Sequence, residues 1–233
     1  MAMAELLVFA PHPDDAELGM GGTIAKLLAR GVEVAVVDMT NGEPTPHGSP
    51  EIRAAETRRA SEALGLPPHL RVQLDLVNRE VEHDLASRHK VAVVIRKFRP
   101  RWIFAPVLPD AHPDHAAATR IVEDARFDAK LTQTDIPGDP CYPERVYYYY
   151  CTHIRLHADP RFVVDVSDVY EKKMAALAAY QSQFYVGRGD QAGEVPKVLR
   201  NRDRYYGDRV GVAYAEPFTC HELVGLRSLD DLL

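Results

Sequence analysis

Leu6-Leu7-Val8-Phe9-Ala10, followed at once by Pro11-His12-Pro13-Asp14-Asp15-Ala16-Glu17-Leu18-Gly19-Met20-Gly21-Gly22, is the stretch on which the reading of the fold turns. Five apolar residues in a row predict a short buried strand. His12, Asp14 and Asp15 then fall within four residues at its C-terminal end, which is where ligands bind in an open α/β sheet. An imidazole beside two carboxylates at such a junction points to a metal site. The competing reading is a polar turn in which Asp15 caps the next helix, since Asp is a favoured N-cap.

Outward from this stretch, Ala16 to Arg30 carries Leu18, Ile24, Leu27 and Leu28 at helical spacing, and Gly31 ends the pattern. Gly19, Gly21 and Gly22 are costly inside a helix; they make sense where its first turns approach other groups closely. Val32 to Val37, finishing at Asp38-Met39-Thr40, predicts a second strand. A dinucleotide site built on Gly19, Gly21 and Asp38 fails on register. The Rossmann fingerprint sets its first glycine in the turn right after the strand, and Ile24 stands where the third glycine belongs.

Asn41 to Pro50 is a polar loop, and Ser49-Pro50-Glu51 reads as a helix start closed later by Gly65. Arg53 and Glu56 share one face of that helix, where an exposed pair would be worth little. Leu70 to Leu76 is a third strand with Asn78-Arg79-Glu80 in the loop at its end. Leu85 to Phe98 is a helix, and Trp102 to Pro106 a fourth, buried strand. Strand–helix units in succession predict a parallel sheet with right-handed crossovers.

Asp110-Ala111-His112-Pro113-Asp114-His115 comes next, with Ala116 to Ala125 continuing as helix. Beyond it, Arg145 to Cys151 and Phe162 to Val166 read as strands, Val169 to Tyr180 and Glu194 to Tyr206 as helices, and Glu222 to Leu226 as a last extended piece. The expected architecture is α/β: a Rossmann-like, doubly wound, mostly parallel sheet with a C-terminal mixed α/β extension. Residues 1–233 are expected to form one domain, with 1–130 as the core and 131–233 as the extension.

Composition narrows the function classes. The chain has 233 residues, is 46% hydrophobic and 27% charged, and carries a net charge of −6. That balance argues against general nucleic-acid or anionic-membrane binding. Cys141, Cys151 and Cys220 lack ligand spacing and suit free thiols in a reducing compartment. The N-terminal apolar run is far short of the ~20 residues of a membrane span, so a cytoplasmic protein is expected.

The argument then rests on adjacency. In a doubly wound sheet the loops after the first strand and after the strand across the switch lie side by side. His12-Pro13-Asp14-Asp15 would therefore face His112-Pro113-Asp114-His115. Nitrogen and oxygen donors suit zinc or another divalent first-row ion, and a catalytic zinc keeps three protein ligands with one position open. His12, Asp14, Asp15, His112, Asp114 and His115 exceed that number, so some must act on the substrate. Residue types alone leave open which.

These two motifs, with Gly21-Gly22-Thr23, Asn41-Gly42-Glu43 and Arg53-Ala54-Ala55-Glu56, resemble the LmbE / PIG-L family of metal-dependent N-acetylglucosamine deacetylases. Phe162 to Ser167, Ala179 to Phe184 and Gly211 to Phe218 resemble its bacillithiol-biosynthesis branch. The resemblance implies His12, Asp15 and His115 as ligands of Zn2+, a set that Fe2+ or another divalent ion also accepts. It implies Asp14 as general base, His112 facing the oxyanion, Asp114 orienting a histidine, and Arg53 touching substrate hydroxyls or an anionic group. Arg79, in a loop that departs from the family pattern, would pair with a carboxylate of the substrate or lie solvated.

The activity implied is zinc-dependent hydrolysis of the N-acetyl amide of N-acetylglucosaminyl-malate, a linear C–N bond, with a small-molecule substrate and no nucleic-acid or membrane partner. Alternatives are another GlcNAc conjugate, such as chitobiose or a mycothiol-type precursor, or a non-catalytic metal- or sugar-binding relative. His47, His69, His83, His89, His153, His157 and His221 read as surface or structural. The run Tyr147 to Tyr150 alternates faces, so half of it is expected in the core and half at an interface of a homo-oligomer, a hexamer by resemblance.

Overall fold

The computed structural model describes residues 4–153, 158–225 and 228. The apolar runs become strands β1 (Leu6–Ala10), β2 (Val34–Thr40), β3 (Arg71–Leu76) and β4 (Trp102–Pro106). Between them lie α1 (Asp15–Ala29), α2 (Pro50–Leu64) and α3 (Leu85–Phe98), and α4 (Pro113–Asp128) follows β4. Then come β5 (Arg145–Tyr149), β6 (Phe162–Asp165), α5 (Tyr170–Ala179), the short α6 (Gln181–Phe184), α7 (Glu194–Val210) and β7 (Ala215–Thr219).

All seven strands form one sheet in the order β3-β2-β1-β4-β5-β7-β6. The first five in that order pair in parallel, and β7 is antiparallel to both β5 and β6. The chain moves outward from β1 to β3, then crosses back to β4 on the other side of β1. That reversal is the switch point, and it brings the ends of β1 and β4 together. α1, α2 and α5 pack against one another, and α3 packs on α4. Covered on both faces, β1 and β2 are buried at every position, as near-continuous apolar runs in parallel sheets require.

Helix signals act where chemistry predicts. Ser49 caps α2, its hydroxyl accepting from the Ile52 N–H at 3.2 Å, and Gly65 ends it in the left-handed region. α1 is different. Met20 leaves the helical conformation (φ −147°), so the helix is broken in its middle. The N–H groups of Gly22 and Thr23, freed by the break, donate to the two carboxylate oxygens of Glu216 at 2.9 and 2.7 Å. Glu216 thus caps the second half of α1 from β7, and fully buried Lys173 of α5 donates to it and to Asp203, each at 2.7 Å. The α1 glycines are close-packing positions: a Cβ on Gly19 would lie 2.1 Å from the Tyr149 ring, and one on Gly22 2.8 Å from Val166.

Several expectations need correction. α4 starts at Pro113, three residues earlier than expected, which puts Asp114 and His115 in its first turn. β7 is not among the expected strands; it lies inside the sheet, with Pro217 opposite Val163. Residues 222–225 form no strand, and Leu226 lies outside the described residues, as does His157. Tyr147, Tyr148, Tyr149 and Tyr150 are all buried. Both faces of β5 are covered, so the run offers no exposed half for self-association. Asp38, which a dinucleotide site would need for its ribose, is held bidentately by Arg71 at 2.8 and 2.9 Å.

Candidate active site

Both donor-rich loops sit where the switch point puts them, and their side chains meet. His12 Nδ1 lies 3.1 Å and His115 Nε2 3.2 Å from the same oxygen, Asp15 Oδ2. The three ligand atoms of His12, Asp15 and His115 lie within 4.8 Å of one another. The outer nitrogen of each ring is committed elsewhere: His12 Nε2 contacts Asp114 Oδ2 at 3.0 Å, and His115 Nδ1 contacts Asp110 Oδ2 at 2.9 Å. Each ring thus lies between two carboxylates; with an ion bound at the near nitrogen, the far carboxylate would hold the remaining ring proton, the arrangement typical of metal-ligating histidine.

His112 is tied the other way. It caps α4, its Nδ1 accepting from the backbone N–H of Asp114 at 3.2 Å. A neutral ring therefore carries its proton on Nε2 and is a donor there; the ligand atoms of His12, His112 and Asp114 also lie within 4.8 Å of one another, a second group able to hold an ion. Burial, aided by His115 and His12, pushes its pKa down to about 4, so the ring is neutral. The hydrogen-bond pattern differs between the three rings: His12 and His115 each lie between two carboxylates, whereas His112 accepts from a backbone N–H.

The electrostatics fit a cation. Burial works against a charged His12, yet hydrogen bonds to Asp114 and Asp15 outweigh it and lift its pKa to about 9. His115 behaves alike: burial would keep it neutral, and Asp15 overcomes that. Protons on these rings answer the buried carboxylates of Asp15, Asp110 and Asp114, a task that a divalent ion on His12, Asp15 and His115 would take over. The donor set of two imidazoles and one carboxylate suits zinc or ferrous iron.

Asp14 stands beside this trio without belonging to it. Its backbone is at φ 130°, a region L-residues rarely adopt, and such strain, on the order of 1–3 kcal/mol, gathers at functional sites. Its Oδ2 accepts from Arg53 Nη2 at 3.0 Å. Burial raises its pKa to about 7, against the opposing pull of Arg53. Arg53 is only 3% exposed, and its Nε and Nη1 have no partner among the described residues. The solvated Arg53–Glu56 pair, the alternative to a substrate role for Arg53, does not form: Glu56 is buried and accepts from the backbone N–H and hydroxyl of Ser182, both at 2.7 Å.

Arg79 also takes a positive φ, 70°. Its backbone N–H donates to Asp114 Oδ2 at 2.7 Å, and its guanidinium donates to the Pro44 carbonyl at 2.8 Å. The departing loop therefore holds Asp114 by its backbone, while its side chain lines the rim. These residues surround a cavity of about 310 Å3, with Asn78, Gln183, Arg188 and Thr152 in its walls.

Sequence reasoning missed two residues of the site. Asp110, whose side chain is fully buried, was passed over although it stands in the quoted loop five residues before His115. His153, assigned to the surface, is exposed but lines the cavity, its ring centroid 5.4 Å from that of His112 and 5.6 Å from that of His115. Its position just past β5, the strand beside β4, was the available signal. Asp110→Asn is expected to weaken divalent-ion binding by about 10- to 100-fold, as loss of such a carboxylate typically does. Competition with a chromogenic chelator measures this, and parent-like affinity would remove Asp110 from the role.

Residues 7–126 match the family profile described as PIG-L: GlcNAc-PI de-N-acetylase. The chain is 34% identical over 229 residues to the diacetylchitobiose deacetylase of Thermococcus kodakarensis, covering 91% of this chain and 81% of that one. It is 28% identical over 192 residues to Probable N-acetyl-alpha-D-glucosaminyl L-malate deacetylase 2 of Bacillus cereus, covering 76% and 83%. A conserved protein of Thermus thermophilus with a solved structure shares 38% identity and a TM-score of 0.87, covering 96% of this chain and 97% of that one.

Proposed function

Because the chain belongs to the PIG-L family of deacetylases, we propose that it hydrolyses the N-acetyl amide of a small N-acetylglucosamine conjugate, releasing acetate and the free amine. The single observation that carries the reading is the union of His12, Asp15 and His115 around one point, with the unliganded Asp14 beside them. A divalent ion held by those three, zinc in our reading, would polarise the amide carbonyl and acidify water.

The chain's own groups supply the rest. Asp14 accepts the proton of the attacking water and later delivers it to the departing nitrogen. His112, neutral with its proton on Nε2, donates to the carbonyl oxygen as that oxygen gains charge. Asp114 and Asp110 hold the two ligand rings, and Arg53, in the cavity wall, orients Asp14 on the side where the sugar would lie. A single sheet runs through 1–130 and 131–233, which supports treating both parts as one domain.

For the aglycone we favour a carboxylate-bearing group such as malate. Arg79 and Arg188 line the cavity, so it presents two guanidinium groups beyond the ion site and the Asp14–Arg53 pair. Diacetylchitobiose is the second reading, favoured by the identity and coverage of the Thermococcus relative. A cytoplasmic, reducing setting belongs to the same proposal, supported by Cys141, Cys151 and Cys220 as free thiols. Among the described residues no helix is long and apolar enough to cross a membrane.

Acetate release from N-acetylglucosaminyl-malate and from diacetylchitobiose, with and without chelator, tests the reading. Release is expected from the malate conjugate first, abolished by chelation and restored by zinc. Faster release from chitobiose would reverse the aglycone assignment, and no release from either would leave a binding protein.

A further inference from the structure

The proposed reaction leaves one wall of the cavity without a task. It is formed by Thr152 and His153, just past the C-terminal end of β5. His153 makes no hydrogen bond to the described residues, and its ring contacts are with His112 and His115.

Strand order gives this wall a meaning. Along the sheet edge β2, β1, β4 and β5 follow one another, and each sends groups into the cavity in the same spatial sequence. Arg53 and Thr45 come from the segments after β2, His12 and Asp14 from the end of β1, His112 and His115 from the end of β4, and His153 from the end of β5. An amide lying across this row has its orientation restricted at two points. Its nitrogen must be near Asp14, which protonates it, so the sugar attached to that nitrogen lies toward Arg53. Its oxygen must face His112. The third substituent of the carbonyl carbon, the acyl chain, is then directed past His112 toward β5.

We infer that His153, with Thr152, closes the acyl end of the site and limits the group removed to acetyl. The inference rests on the roles proposed above for Asp14, His112 and Arg53. Its physical content is steric: an acyl chain longer than acetyl meets the imidazole ring. A misfit of one or two methylenes typically changes transition-state binding enough for about 10- to 200-fold discrimination.

The test compares kcat/KM for the N-acetyl, N-propionyl and N-butyryl forms of one glucosamine conjugate, using zinc-loaded full-length protein. For His153→Ala, kcat/KM on the butyryl form is expected to rise at least about tenfold over the parent. His153→Leu, of comparable bulk, is expected to keep the parent's preference for acetyl, which separates size from imidazole chemistry. A merely structural histidine cannot produce a gain on a longer substrate. No gain in His153→Ala would overturn the inference, as would an equal gain in His153→Leu. A parent that already accepts butyryl as well as acetyl would also overturn it. Absence of turnover on all three forms by the parent would instead count against the deacetylase reading itself.

Discussion

Asp14→Asn is expected to bind its divalent ion with near-parent affinity and yet lose about 10²- to 10⁴-fold in kcat, the range associated with a general acid–base group. Asn keeps the size of the side chain and an oxygen for Arg53 Nη2, now 3.0 Å from Asp14 Oδ2. It lacks the capacity to take a proton and the negative charge that answers Arg53. Asp14 lies outside the trio whose ligand atoms converge, so ion content should be unaffected. Burial that lifts its pKa toward neutrality makes it a stronger base than an exposed aspartate, and a bound divalent cation nearby would lower it again. Parallel measurement of kcat and zinc content decides the matter. A variant turning over within about tenfold of the parent would show that another group moves the proton, and one emptied of zinc would make Asp14 a ligand.

Lys173→Ala should be the most destabilising single change, by about 3–5 kcal/mol, the loss expected when one partner of a buried ion pair is removed. The ammonium has no exposed surface and pairs with both Glu216 and Asp203, whose side chains are equally buried, with Arg202 as the second cation at Asp203. Burial alone would raise the Asp203 pKa, yet Arg202 and Lys173 together hold it below the usual range. Without Lys173, Glu216 must carry an uncompensated charge while still capping Gly22 and Thr23, and the second half of α1 loses its anchor. For a chain of this size the melting temperature is expected to fall on the order of 10 °C. A fall of less than about 2 °C would show that the two carboxylates find other compensation.

Much of this was visible in residue order. The apolar runs of β1, β2 and β4, the Ser-Pro-Glu start of α2 and the Gly65 stop act locally, so local pattern was sufficient. The meeting of the His12 and His112 loops was legible on the premise of a doubly wound sheet, whose switch point sets those two loops side by side. What escaped depends on distant partners. Pro217 reads as a strand breaker until β6 and β7 pair around it. Glu216 as a cap of α1 bridges 193 and more positions in sequence, and nothing near either end announces it. Likewise, the orientation of His112 is set by one backbone hydrogen bond, below the resolution of any residue pattern. The tyrosines of β5 were read by alternation, which fails where helices and loops cover both faces.

The proposed ion-binding groups and the proposed base stand at the ends of β1 and β4, two interior strands, whereas the outer walls come from segments such as 41–48, 78–80, 152–153 and the short α6 with the loop after it. Selectivity can therefore vary along 41–48, 152–153 and the loop after α6 apart from the ion site, whereas 78–80 is tied to it, because the Arg79 N–H holds Asp114 against the His12 ring.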